Sequence, residues 1–152
     1  MTLEIHHQSL EESATQLENE ARMMLPGVQA ILGFQLIAAF NQRFEHLSAA
    51  EQVMHFVSFL LLALTMGLLM APAAYHRQVE RRTVSERFIR MSSILLTTAM
   101  APFSIGVAID AYLVGKIILD DTELALVAAG GVLLVLAGLW FVLPRAVRPS
   151  RD

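Results

Sequence analysis

The sequence predicts an all-α fold: an integral membrane four-helix bundle with an amphipathic N-terminal cytoplasmic helix, assembled as a homo-oligomer. Two observations lead to this prediction. Of the 152 residues, 55% are hydrophobic, and the mean hydropathy is +0.55. The apolar residues are concentrated in four blocks of about 20 residues, the length that a helix needs to cross about 30 Å of hydrocarbon. Little of the chain is left for a soluble domain.

The four apolar blocks define the predicted domain organisation. A cytoplasmic amphipathic segment covers 1–22, the membrane domain covers 23–144, and a basic cytoplasmic tail covers 145–152. Thr83 and Glu86 have the spacing of a capping box, which predicts that the third helix begins beside them. The predicted membrane helices cover about 23–42, 52–76, 88–115 and 124–144.

Basic residues are distributed unevenly over the two sides of this predicted bundle. If the four helices alternate in direction, nine Lys and Arg residues fall on one side, and Arg43 and Lys116 fall on the other. Basic residues in short loops concentrate on the cytoplasmic side of a membrane. We therefore expect a multi-pass protein of the inner cell membrane with both termini in the cytoplasm.

The N-terminal segment carries an apolar stripe with coiled-coil spacing. Its members are Leu3, Leu10, Ala14, Leu17, Ala21 and Met24. One interpretation is that helix 1 extends into the cytoplasm and associates with copies of itself. The other is that the segment packs against the 77–90 loop or lies on the membrane, and Pro26 favours this one because proline bends or interrupts helices.

Polar side chains within the apolar blocks are the candidate functional residues. Gln35 lies near the middle of helix 1, where an amide either bonds to a neighbouring helix or lines a pore. We expect it to face protein, with a subunit interface favoured over lipid. Gln29 and Asn41 of the same helix are further candidates for a permeation path.

Asp110 is an acidic residue embedded in apolar sequence toward the outer end of helix 3. A carboxylate in hydrocarbon is costly, so it indicates a functional site. One interpretation is a buried ion pair, for example with Arg43. The other is a proton or cation site, in which His55 and Arg43 at a similar depth also take part. The sequence leaves both open.

Small residues at regular spacing predict where helices pack closely. Ala63, Gly67 and Ala71 form such a ridge on helix 2, and Gly130, Gly131 and Gly138 lie on helix 4. Known catalytic and metal-binding motifs are absent, and the chain has no cysteine. We expect no enzyme activity, cofactor, metal or nucleic acid. The expected partners are the lipid bilayer, inorganic ions and further copies of the chain, joined through helix 1 and the N-terminal segment.

Several segments resemble a known family of small bacterial and archaeal four-helix membrane proteins of unknown function. They are ARMMLPGVQAILGFQLIAAFNQRFEHLS at 21–48, EQ at 51–52, MAPAAYHR at 70–77 and VSERF at 84–88. The resemblance extends from about Glu18 to Lys116 and implies the four-helix fold. Members of that family are sometimes labelled sodium:proton antiporters, so the resemblance also implies ion transport.

The function that the sequence favours is an oligomeric membrane ion channel with helix 1 lining its axis and Gln35 at a constriction. Glu11 and Glu18 would form a cytoplasmic vestibule that concentrates cations, which favours cations over anions. The alternatives are a proton-coupled small transporter or antiporter that uses Asp110, and a non-transporting membrane scaffold that recruits a partner.

Overall fold

The computed structural model describes residues 2–80 and 83–147, with the backbone alone for residues 2–8 and Arg43. This part of the chain is helical and contains no strand. The main helices are α1 (Thr2–Ala39), α2 (Ala49–Val79), α3 (Glu86–Leu119) and α4 (Thr122–Ala137). A 3-10 helix, Gln42–His46, connects α1 to α2, while a π-helical turn, Gly138–Val142, and the short α5, Leu143–Ala146, extend α4.

Four helical stretches of the described chain are long and apolar enough to cross a membrane. They are Ser9–Ala39, Ala49–Val79, Glu86–Leu119 and Thr122–Ala146. Their outer faces carry large apolar side chains, such as Phe34 and Leu134, which are 71% and 75% exposed. Water-soluble monomers rarely expose continuous apolar surface of this kind. The all-α prediction is therefore confirmed, and the fold is compatible with a multi-pass membrane protein.

α3 is the central helix of the bundle. It packs against α2 and α4, and α1 lies against both α2 and α3. Two glycines of α3 allow these close approaches. A Cβ at Gly106 would lie 3.2 Å from Leu62 Cγ of α2, and a Cβ at Gly115 would lie 3.3 Å from Ala125 Cα of α4.

The glycines of the predicted ridges are not at these close contacts. A Cβ added at Gly67, Gly130, Gly131 or Gly138 would meet no described neighbour within 4 Å. Within the chain, the glycines at close helix contacts are therefore Gly106 and Gly115 of α3. The spacing on α2 and α4 is real, but it lies on faces that the bundle leaves uncovered.

The apolar stripe of the N-terminal segment packs within the same chain. α1 runs through Pro26 without a break, so the stripe continues into the bundle. Leu17, Ala21 and Met24 contact a buried cluster in which Val28 of α1 meets residues of α2 and α3. That cluster consists of Val28, Leu69, Leu96 and Ala99. This part of the stripe thus packs against the protein's own helices, and association with further copies stays a prediction.

Helix starts are fixed by local hydrogen bonds. Ser48 and Glu51 form a complete capping box at the start of α2. At the start of α3 the capping residue is Ser85, whose Oγ accepts a hydrogen bond from the Phe88 amide at 3.1 Å. The predicted cap at Thr83 is therefore displaced by two residues, because Glu80 accepts hydrogen bonds from Ser85 and fixes that residue at the helix end.

Candidate functional site

A buried polar cluster joins three helices in the half of the bundle that contains the C-terminal end of α1. Gln35 of α1 places its Nε2 2.8 Å from each carboxylate oxygen of Asp110 and 2.7 Å from Ser58 Oγ. Ser58 Oγ of α2 lies 2.9 Å from Asp110 Oδ1. Gln35 is 5% exposed and Ser58 is fully buried. One polar side chain from each of α1, α2 and α3 therefore meets the other two, with Gln35 and Ser58 buried and Asp110 partly exposed.

The local sequence explains why Ser58 can reach Asp110. Gly106 and Asp110 are four residues apart and so share one face of α3. Because Gly106 has no side chain, α2 approaches closely, and Ser58 Oγ also lies 2.9 Å from the Gly106 carbonyl oxygen. The glycine thus creates the space in which the carboxylate and the hydroxyl meet.

The cluster has more acceptors than hydrogens to share among them. The Gln35 amide has two hydrogens for three acceptor atoms, and the Ser58 hydroxyl has one hydrogen for two. Gln35 Oε1 is buried and has no donor among the described residues. Exchanging the amide oxygen and nitrogen would place an oxygen against the carboxylate, which requires a proton on Asp110. In either orientation the cluster can accept one more proton or a cation.

His55 lies beside this cluster, three residues before Ser58 on α2. Its Nε2 is 3.1 Å from the main-chain oxygen of Gln35, and its ring meets Phe44 edge to face at 5.1 Å between centroids. The side chain of Arg43 lies outside the described part of the chain, so the predicted ion pair between Asp110 and Arg43 stays a prediction.

A cleft of about 390 Å³ adjoins the cluster. Gln35, His55 and Asp110 contribute polar groups to its wall, and the rest of the lining is almost entirely apolar. Phe34 of α1 and Val114 of α3 line the cleft while being 71% and 54% exposed. The cleft therefore opens between α1 and α3 at the outer surface of the bundle.

The structure brings together some of the predicted site residues and separates others. Asn41 is exposed and lines the same cleft as Gln35, His55 and Asp110. Gln29 is exposed on α1 and does not line the cleft. The vestibule candidates are exposed near the other end of α1, where Glu18 lies 3.9 Å from Arg22 and Glu11 is solvent-facing.

Two features of the site differ from the sequence-based expectation. The sequence favours a subunit interface for Gln35, whereas its side chain contacts α2 and α3 of the same chain. A run of apolar residues cannot indicate which helix a polar side chain will meet. The sequence does not predict Ser58 and Gly106 as members of the site. The one indication is their spacing, because Ser58 lies three positions after His55 and Gly106 four positions before Asp110, each pair on one helix face.

The fold and the site define a class of small helical proteins with four apolar helices around a buried carboxylate. The chain belongs to a family of unknown function, DUF6328, whose model matches residues 4–144. This match confirms the resemblance found in the sequence. No curated protein and no solved structure matches the chain.

Proposed function

We propose that the protein is a proton-coupled membrane transporter of cations in which Asp110 holds a proton or a cation in turn. The observation that carries this proposal is the shortage of donors around the carboxylate. Gln35 and Ser58 cannot satisfy every acceptor of the cluster. No ion pair to Asp110 forms among the described side chains, although an intramembrane carboxylate usually has a partner or a functional role.

The same geometry gives less support to a channel with Gln35 at its constriction. The described hydrogen bonds of the Gln35 side chain are with Ser58 of α2 and Asp110 of α3 in the same chain. The space beside it is a cleft with a polar wall, which suits a binding site that is occupied and emptied. We therefore favour a carrier over the channel that the sequence alone suggests.

We further propose that the working unit is a homo-oligomer in the inner membrane, with both termini of each chain in the cytoplasm. Only 6% of the most apolar 18 residues of Thr122–Ala146, and 11% of the most apolar 18 residues of Ser9–Ala39, are buried within one chain. Gly130 leaves room for another helix to approach α4 closely. The unequal distribution of Lys and Arg supports the orientation. In this orientation, the cleft lies in the outer half of the membrane.

Reconstituted liposomes test the transport proposal. With an internal pH-sensitive dye and an imposed pH gradient, adding a cation outside should dissipate the gradient for wild-type protein. Asp110→Asn should abolish this response because the amide can neither bind a proton nor compensate a cation. Asp110→Glu should retain part of the activity. Glu12→Gln, an exposed site outside the cleft, should behave like wild type.

The panel of external cations should contain sodium, potassium and tetraphenylphosphonium, each tested alone and compared with protein-free liposomes, because tetraphenylphosphonium also crosses lipid unaided. Proton movement that continues in Asp110→Asn would contradict the proposal. Cation flux without proton movement would instead favour the channel. A correctly assembled protein that moves no ion under any gradient would leave the scaffold hypothesis.

A further inference from the structure

We infer that the cation bound at this site is an amphipathic organic cation, such as an ammonium or phosphonium ion with apolar substituents. This inference rests on the proposed function, because it names the chemical class of the cation that the same site takes. It is carried by three properties of the cleft: its apolar walls, its single carboxylate beside an amide oxygen that has no donor among the described residues, and its lateral opening.

The walls of the cleft suit apolar substituents better than a hydrated ion. Its volume of about 390 Å³ is in the range of small-molecule sites. Phe34, Phe44, Leu113 and Val114 are among the apolar lining residues. An inorganic cation exchanges its hydration shell for a set of oxygen ligands. Asp110 is the single carboxylate among the lining residues and most of the others are apolar, so the cleft offers few oxygens to complete such a shell.

The polar wall of the cleft supplies the matching charge. Asp110 lines the cleft with a carboxylate, and the buried Oε1 of the neighbouring Gln35 has no donor among the described residues. An ammonium or phosphonium ion with bulky substituents needs a nearby negative charge rather than a complete set of ligands. Phe44 is close enough to this wall to contact His55, so its ring can also stabilise a bound cation.

The position of the opening provides the route. Phe34 and Val114 lie at the surface between α1 and α3, on helices that are apolar enough to span a membrane. In a bilayer this opening faces hydrocarbon. Amphipathic cations partition into the interfacial region of a membrane, whereas small inorganic ions do not. The structure therefore offers a lateral path from lipid to Asp110.

Binding measured without any gradient tests this inference. Equilibrium dialysis of radiolabelled tetraphenylphosphonium against the full-length protein in detergent, corrected with protein-free micelles, should show saturable binding. Asp110→Asn should weaken binding by about tenfold or more, since a charge contact of this kind contributes more than about 1.4 kcal/mol. Phe34→Ala should weaken it severalfold. Leu134→Ala, an equally exposed apolar site on α4 outside the cleft, should leave it unchanged.

The outcomes separate this inference from the transport proposal. Equal binding in wild type and Asp110→Asn, or binding that is not saturable, would overturn the inference, as would displacement of the probe by millimolar sodium. If Asp110→Asn does not fold, binding of the probe to Asp110→Glu and Phe34→Ala tests the same cleft. Asp110-dependent binding without proton movement in liposomes would support the site and overturn transport. Sodium-driven proton movement without tetraphenylphosphonium binding would support transport and overturn the inference.

Discussion

Ser58 is the residue through which α2 reaches the carboxylate of α3. Its Oγ lies within hydrogen-bond distance of the Gly106 carbonyl oxygen and of Asp110 Oδ1, and its one hydrogen can be donated to either. The same Oγ can accept a hydrogen bond from the Gln35 amide nitrogen. The side chain is fully buried, so no water replaces these contacts if the hydroxyl is removed. Its role is to connect three helices at one point.

Ser58→Ala should therefore lower the free energy of unfolding by about 1 kcal/mol, the usual contribution of a polar contact between membrane helices. The expected cost is of this order because the Gln35 amide and Asp110 keep each other as partners. Unfolding in detergent with increasing sodium dodecyl sulfate, followed by circular dichroism, measures the difference. Ser13→Ala is the matched control, because Ser13 bonds only the exposed Ser9 carbonyl. Equal losses in both variants would argue against a structural role for Ser58.

At the scale of single residues, three members of the site could be predicted from the sequence. Asp110, Gln35 and His55 stand out because polar side chains are rare within apolar blocks and costly there. Ser58 and Gly106 do not stand out, since serine and glycine are common in membrane helices and usually serve packing. The arrangement of the cluster depends on how far each helix is rotated and shifted against its neighbours. The rotation and shift of each helix against its neighbours cannot be read from a single sequence.

At the scale of the helices, α3 controls the packing of the bundle through its glycines. Gly115 faces the backbone of α4, where an added Cβ would lie 3.3 Å from both Cα and Cβ of Ala125. A backbone atom cannot move aside as a flexible side chain can. Gly130 of α4, in contrast, has no described atom within 4 Å of an added Cβ. Gly115 and Gly130 can therefore be compared as a helix-contact position and its control.

Gly115→Ala should destabilise the protein by about 1–3 kcal/mol, because the new methyl group forces α4 away from α3. In a single chain without a partner copy, Gly130→Ala should leave stability unchanged or raise it by up to about 1 kcal/mol, since no described atom opposes the new methyl group and alanine favours the helix. Both variants can be compared in the same detergent unfolding assay. A loss at Gly130 larger than that at Gly115 would indicate that the open face of α4 is covered by another copy and that this contact outweighs the one within the chain.

At the scale of the whole molecule, the number and type of the main helices followed from the sequence alone. Runs of apolar residues about 20 residues long have few alternatives to a membrane helix. The path of the N-terminal segment did not follow, because a stripe such as Leu17, Ala21 and Met24 fits the chain's own helices as well as another copy. The orientation in the membrane is likewise a property of the whole chain, and under the proposed function it would decide from which side cations reach the cleft.

The proposed orientation can be tested directly, because the chain contains no cysteine and single cysteines can be introduced without a background. We expect His46→Cys and Asp120→Cys to react with a membrane-impermeant maleimide in intact cells. Glu12→Cys and Arg90→Cys should react only after the cells are permeabilised, because the proposed orientation places both positions in the cytoplasm. In that orientation nine of the eleven Lys and Arg residues are cytoplasmic. All four positions are exposed, so burial does not prevent the reaction. The reverse pattern would place the cleft in the cytoplasmic half of the membrane, and organic cations would then reach Asp110 from the inner leaflet.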